Sequence, residues 1–303
     1  MVCIRRWTAV AFALLAAATL PWPAAADRFD VSVTAGTRVT AAGDTVDYLL
    51  FVPHPAAEAA RLSVPAVVLT HGFARDYGRH VDTAVFLAER GIAVMTPNMV
   101  SIAGLLLPQR RNIRNTADHA RWLAARSADP QDPLYGVIDG TRIALAGHSA
   151  GGAISSEAAL ELQDDGPAAA ALVLLDAVPY PRTVRSARSL SPLPILSLRA
   201  EPAACNAFDA VSDLVDAIPF AIEDLRVVGA THCDPEGPSD VTCALACGGR
   251  DPVRAETFRT VMYRFLAANL AIPATETEDA AYERAVRGLM QRGELDMPIA
   301  PGN

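Results

Sequence analysis

Short apolar runs rich in Val, Ile and Leu recur along this chain, and most are followed by a longer stretch of helical periodicity. The runs are Thr45–Val52, Ala66–Thr70, Ile92–Thr96, Arg142–Ala146, Ala169–Leu175, Pro194–Leu198 and Asp224–Val228. Strands this uniformly apolar are those buried on both faces. Helical patterns fall between them at Val81–Arg90, Asn115–Arg126, Ser149–Glu161 and Phe208–Val215, with Pro252–Leu270 and Glu278–Gln291 at the end. That alternation predicts an α/β fold with a mostly parallel central sheet and helices on both faces. Asp27–Ala35 is expected to add an antiparallel edge strand. There is no internal repeat and no long low-complexity linker, so residues 27–303 read as one domain.

In such a sheet, ligands gather at the carboxyl ends of the strands. The run Arg142–Ala146 leads into GHSAGG, Gly147–Gly152, and then into a helical pattern. A strand that turns sharply into a helix crowds its neighbours, so the positions two before and two after Ser149 must be small. Gly147 and Gly151 meet that demand. The turn would lift the Ser149 hydroxyl above the sheet, over a helix N-terminus that favours negative charge. These residues point to a nucleophile rather than to a helix-capping serine.

A serine nucleophile needs a base, an acid and donors for the oxyanion. Where such an elbow caps a parallel sheet, the acid and then the histidine follow the serine in the chain. Of six histidines only His232 lies beyond Ser149, in a loop after the strand ending at Val228. For the acid, Asp176 closes the run ALVLLD and is preferred; Glu201 and then Asp209, after the next strand, are the alternatives. The turn THGF follows an early strand, so the backbone N–H groups of Phe73 and Ala150 are expected to form the oxyanion pair. His71 is assigned to ordering that loop.

Composition removes several chemistries. All 26 basic residues are arginine, which excludes a Schiff-base lysine and the lysine of a phosphate loop. A net charge of -8 argues against a nucleic-acid partner. Arg5 and Arg6 precede the apolar stretch Trp7–Leu20 and then PWPAAAD, the pattern of an export signal with cleavage expected after Ala26. The stretch is too short to span a bilayer comfortably. The mature protein is therefore expected outside the cytoplasm, secreted or periplasmic, without stable membrane insertion. Beyond the leader stand Cys205, Cys233, Cys243 and Cys247, an even number expected to form two disulfides by one of three pairings. No C-x-x-C pair supports a zinc site.

HGF at His71–Phe73, GHSAGG at Gly147–Gly152, LLD ending at Asp176 and ATH at Ala230–His232 together resemble the α/β-hydrolase superfamily over about Asp44–Ala268. An acid after the strand that follows the elbow helix is similar to platelet-activating-factor acetylhydrolases and chlorophyllases. HGF and GHSAGG are also similar to cutinase-like polyester hydrolases and dienelactone-hydrolase-like esterases, whose acid usually follows the next strand. The resemblance implies hydrolysis of small-molecule or lipid esters through an acyl-enzyme, with no cofactor and no metal. A serine peptidase, an acyltransferase and a catalytically idle binding protein are the alternatives on the same residues. Met99–Gln109 is unusually apolar for a loop and either lines an acyl pocket, meets a lipid surface or packs beneath the following helix. Tyr180–Pro192 is expected to cap the site loosely, and short or medium acyl chains fit such an opening. The oligomeric state is left open.

Overall fold

The structure is a computed structural model and describes residues 29–54, 63–100, 109–270 and 278–298. The expected leader lies outside the described residues, as do residues 101–108 of the apolar loop.

The strands are β1 (Asp30–Val39), β2 (Thr45–His54), β3 (Val64–Thr70), β4 (Ala93–Pro97), β5 (Ile138–His148), β6 (Leu172–Leu175), β7 (Ile195–Arg199), β8 (Glu223–Val227) and β9 (Leu295–Asp296). They form one sheet in the order β1-β2-β4-β3-β5-β6-β7-β8-β9. Every pairing from β4 across to β8 is parallel. The strands β1, β2 and β9 are antiparallel to their neighbours. The sheet is thus mostly parallel, and Asp30–Val39 supplies the antiparallel edge.

The helices are α1 (Val81–Ala88), α2 (Arg110–Ala128), α3 (Ala150–Asp164), α4 (Pro181–Ala187), α5 (Val211–Ala217), α6 (Val241–Cys247), α7 (Pro252–Asn269) and α8 (Glu278–Gln291). Because strand side chains alternate between faces, the central strands feed two cores at once. Val68, Leu145, Leu172 and Leu174 pack under α2, α3 and α5 against Ile113, Leu123, Ile154 and Leu214. On the opposite face Val67, Leu69, Val173 and Leu175 pack with Leu87, Phe258, Phe265 and Leu289 of α1, α7 and α8. A residue buried on either face has to be apolar, which is why these strands read as unbroken apolar runs.

Two helices differ from expectation. The helix expected from Asn115 begins at Arg110, because RRNIR carries one apolar residue and so shows no periodicity. Its buried Asn112 and Asn115 hold their places by hydrogen bonds, to Gln109 and to Asp44. The expected Phe208–Val215 helix begins instead at Val211, since Ala207, Phe208 and Asp209 adopt positive φ and cannot continue a right-handed helix. The short helices α4 and α6 were not anticipated as elements. α4 starts with Pro181 in its first turn, and α6 is capped by Asp240, whose carboxylate accepts from Cys243 N–H.

The cysteines pair Cys205–Cys247 and Cys233–Cys243. In the loop-entropy account, bridges of this span are worth about 3–4 kcal/mol each. They staple α6 to the loop after β7 and to the loop after β8, both of which border the site below. Among the described residues, no helix is long and apolar enough to cross a membrane.

Candidate active site

Strand order reverses at β5. The chain runs outward from β3 to β4, then returns through β5 and proceeds the other way through β6, β7 and β8. The crevice between the carboxyl ends of β3 and β5 is therefore open to a ligand. His71–Phe73 leaves β3 there, and Ser149 leaves β5.

Ser149 has φ 56° and ψ -124°, a left-handed conformation that costs a non-glycine residue about 1–3 kcal/mol. The packing around it maintains that strain. Its N–H donates to the Leu175 carbonyl, and its own carbonyl accepts from Gly152 and Val178. The flanking glycines are sterically required. A Cβ on Gly147 would collide with the backbone of Gly151 and Gly152, and one on Gly151 with the carbonyls of Thr70 and His71. On the facing loop, a Cβ on Gly72 would stand 3.1 Å from the Ser149 Cβ, a tight contact that would press on the serine.

Three side chains meet above the sheet. His232 Nε2 lies 3.0 Å from Ser149 Oγ, and His232 Nδ1 lies 2.6 Å from Asp176 Oδ2. The carboxylate can only accept, so Nδ1 carries the ring proton and Nε2 is left to accept from the serine hydroxyl. Asp176 is 1% exposed, and its charge is met by hydrogen bonds. Ala200 N–H donates to Oδ1 at 3.0 Å and Asn206 Nδ2 reaches both oxygens at 3.3 Å. The other two candidate acids are committed elsewhere. Glu201 accepts from Gly229 N–H and so braces the loop carrying His232. Asp209 pairs with Arg199 and Arg226.

Phe73 and Ala150 line one small cleft with His71, Met99 and Tyr180. Ala150 is the first residue of α3, so its N–H has no acceptor within the helix. Among the described residues, neither that N–H nor the one on Phe73 meets a backbone acceptor. His71 is held at both nitrogens, Nε2 accepting from Met99 N–H and Nδ1 donating to the Gly72 carbonyl. Met99 and Gln109, the two described ends of the apolar loop, both line this cleft.

Two supporting residues escaped the sequence reading. Asn206 holds Asp176 while its Oδ1 accepts from Ala203 and Asp209. His148, next to Ser149 in the chain, donates from Nε2 to the His232 carbonyl at 2.8 Å, with ring centroids 4.6 Å apart. Behind it, Glu236 is gripped by both arms of the Arg75 guanidinium at 2.6 Å. That pair fastens the His71–Arg75 loop to the loop after His232. A histidine beside the serine in GHSAGG was the one visible signal, whereas nothing marks an asparagine in AACNAFD.

Burial disfavours the charged form of four histidines. His80 and His119 are both held down to about 3, chiefly by desolvation. The same cause lowers His71 and His148. Between their ordinary value near 6.5 and about 3, the unfolded chain takes up protons that the folded chain refuses. Stability is therefore present above that window and is lost as pH falls through it, by up to about 1.4 kcal/mol per pH unit for each such histidine. Thermal melts between about pH 7 and about pH 4 are expected to show a Tm that falls steadily. A Tm that holds constant over that range would contradict the burial of these rings as neutral species.

The sulfurs of Cys233, Cys243 and Cys247 lie within 4.8 Å of one another. All three are consumed in disulfides and offer no thiolate to a metal.

No curated protein matches the chain. A family model described as the α/β-hydrolase fold matches residues 108–212. That span includes the elbow and Asp176, while Phe73 and His232 stand on either side of it. The match, laid on a parallel sheet with a serine elbow at its switch point, shows that the chain has the α/β-hydrolase fold.

Proposed function

We propose that this hydrolase is an exported serine esterase acting on carboxylic esters of short or medium acyl chain. The observation that carries the reading is the unbroken line from Ser149 Oγ through the His232 ring to Asp176, at 3.0 and 2.6 Å.

Ser149 Oγ attacks the ester carbonyl carbon while its proton passes to His232 Nε2. The carbonyl electrons move onto oxygen, where the Phe73 and Ala150 N–H groups and the α3 N-terminus stabilise the new charge. Asp176 stabilises the imidazolium. The tetrahedral species collapses, the bond to the alcohol oxygen breaks, and that oxygen takes the proton from His232. Water then repeats the sequence against the acyl-enzyme, delivering its proton to the freed Nε2 and releasing the acid.

The two disulfides support an oxidising destination, since such bonds persist outside the cytosol. The small cleft at Ala150 supports a modest acyl group. A series of p-nitrophenyl esters tests the reading. Activity is expected to be highest at short to medium chain length, and a fluorophosphonate probe is expected to label Ser149 alone. A folded protein that takes no label and cleaves no ester in the series would overturn it.

A further inference from the structure

Arginine supplies every basic side chain of this protein. Most described arginines are tied to a carboxylate, as Arg75 is to Glu236 and Arg199 to Asp224. Those without an ion-pair partner are not scattered. Among the described residues, the guanidinium groups of Arg110 and Arg114 on α2, of Arg185 on α4 and of Arg188 just after it face no carboxylate, and all four residues are exposed. They stand on one flank of an otherwise acidic protein.

Part of that flank is concave. Arg110, Ile113 and Arg114 of α2, Glu161 of α3 and Arg182 of α4 line a cleft of about 150 Å³. The α2 N-terminus opens beside it with no acidic residue in its first turn and no side-chain cap from Gln109. Arginines at a helix N-terminus oppose the helix dipole, a placement that costs stability unless an anion sits among them. Arg182 is paired with Glu157 at 3.0 Å and Glu161 with Arg121 at 3.5 Å, so the charges left uncompensated at the cleft are those of Arg110 and Arg114. Two uncompensated guanidinium groups one helical turn apart can hold one carboxylate between them. Ile113 adds an apolar wall for a hydrocarbon chain.

The cleft also lies beside the reactive serine. Gln109 and Tyr180 line the cleft at Ala150, whereas Arg110 and Arg182, one and two residues further on, line this one. The helix α3 runs from Ala150 at the first to Glu161 at the second, about 16 Å at 1.5 Å per residue. A flexible ester of roughly ten carbons, met by extended arginine side chains, approaches that span.

We propose that the arginine cleft between α2, α3 and α4 is a subsite for a carboxylate carried by the ester substrate at the end remote from the scissile bond. This rests on the esterase reading above. The preferred substrates are then half-esters of dicarboxylic acids, bound with the ester at Ser149 and the free acid at Arg110 and Arg114.

Monomethyl sebacate and the uncharged methyl hydroxydecanoate of equal length test the subsite, with p-nitrophenyl acetate as a probe of the chemistry alone. The wild type is expected to favour the half-ester by roughly 3- to 10-fold in kcat/KM at low salt, mostly through KM. The preference is expected to fade in about 1 M salt, where screening shortens to about 3 Å. In the double variant Arg110→Gln/Arg114→Gln the ratio should fall to about one, and Lys at both positions should restore most of it. If p-nitrophenyl acetate is cleaved but the wild type treats both long esters alike, the carboxylate subsite is wrong and the esterase reading stands. A preference that survives the double Gln substitution overturns the assignment to this cleft. No turnover of any of the three esters removes both.

Discussion

Ser149→Ala is expected to lower kcat for a p-nitrophenyl ester by about 10⁴-fold or more, with little change in fold. The substitution keeps Cβ and removes one oxygen atom. It therefore leaves the strained turn at φ 56° intact and the Leu175 hydrogen bond in place. In the proposed mechanism what disappears is the atom that forms the acyl bond, and neither His232 nor the paired N–H groups can supply a replacement. Residual turnover would come from bound water activated by His232 and stabilised by the oxyanion donors. Initial rates measured beside a thermal melt separate loss of chemistry from loss of fold. A variant that melts like the wild type yet retains a rate within about tenfold would show that Ser149 is not the nucleophile.

Asp176→Asn is expected to cost about 10⁴-fold in kcat while preserving the shape of the site. The new amide presents an N–H₂ donor to His232 Nδ1, which would shift the ring proton to Nε2. That nitrogen could then no longer accept from Ser149 Oγ, and the base would be lost through its tautomer rather than its position. The neutral side chain also stops stabilising the imidazolium. Glu201→Gln is the informative control. Its carboxylate accepts from Gly229 N–H, a bond an amide oxygen can still accept, so activity should change by no more than about tenfold. If instead Glu201→Gln is the crippled variant and Asp176→Asn the mild one, the acid has been assigned to the wrong strand. A return of the Asp176→Asn rate at high pH would also count against the tautomer account.

Much of the fold was legible because its signals are local. A strand covered on both faces must be apolar throughout, so Ala66–Thr70 and Ala169–Leu175 read as strands without knowledge of their neighbours, and the structure has strands there at Val64–Thr70 and Leu172–Leu175. Boundaries were less legible where polar residues are buried through specific bonds. Asn112 and Asn115 in α2 are examples, since their partners cannot be read from spacing along the chain. The left-handed turn at Ala207–Asp209 was hidden for a related reason: none of its residues is glycine, so nothing in the composition announces positive φ.

The sequence by itself determined the parallel sheet, the placing of Ser149 on a tight turn and the choice of His232 by order along the chain. Each follows from local sterics, from short-range periodicity or from a rule of chain order. Tertiary structure alone decided which carboxylate faces the imidazole, which cysteines pair, and how Asn206, His148 and Glu236 brace the site. It also brought the unpaired Arg110 and Arg114 of α2 beside Arg182 of α4 on one cleft. The hydrogen bonds among them depend on segments tens of residues apart approaching within 2.6–3.3 Å. That approach is set by strand register and by which loops share one end of the sheet, and no local pattern encodes either.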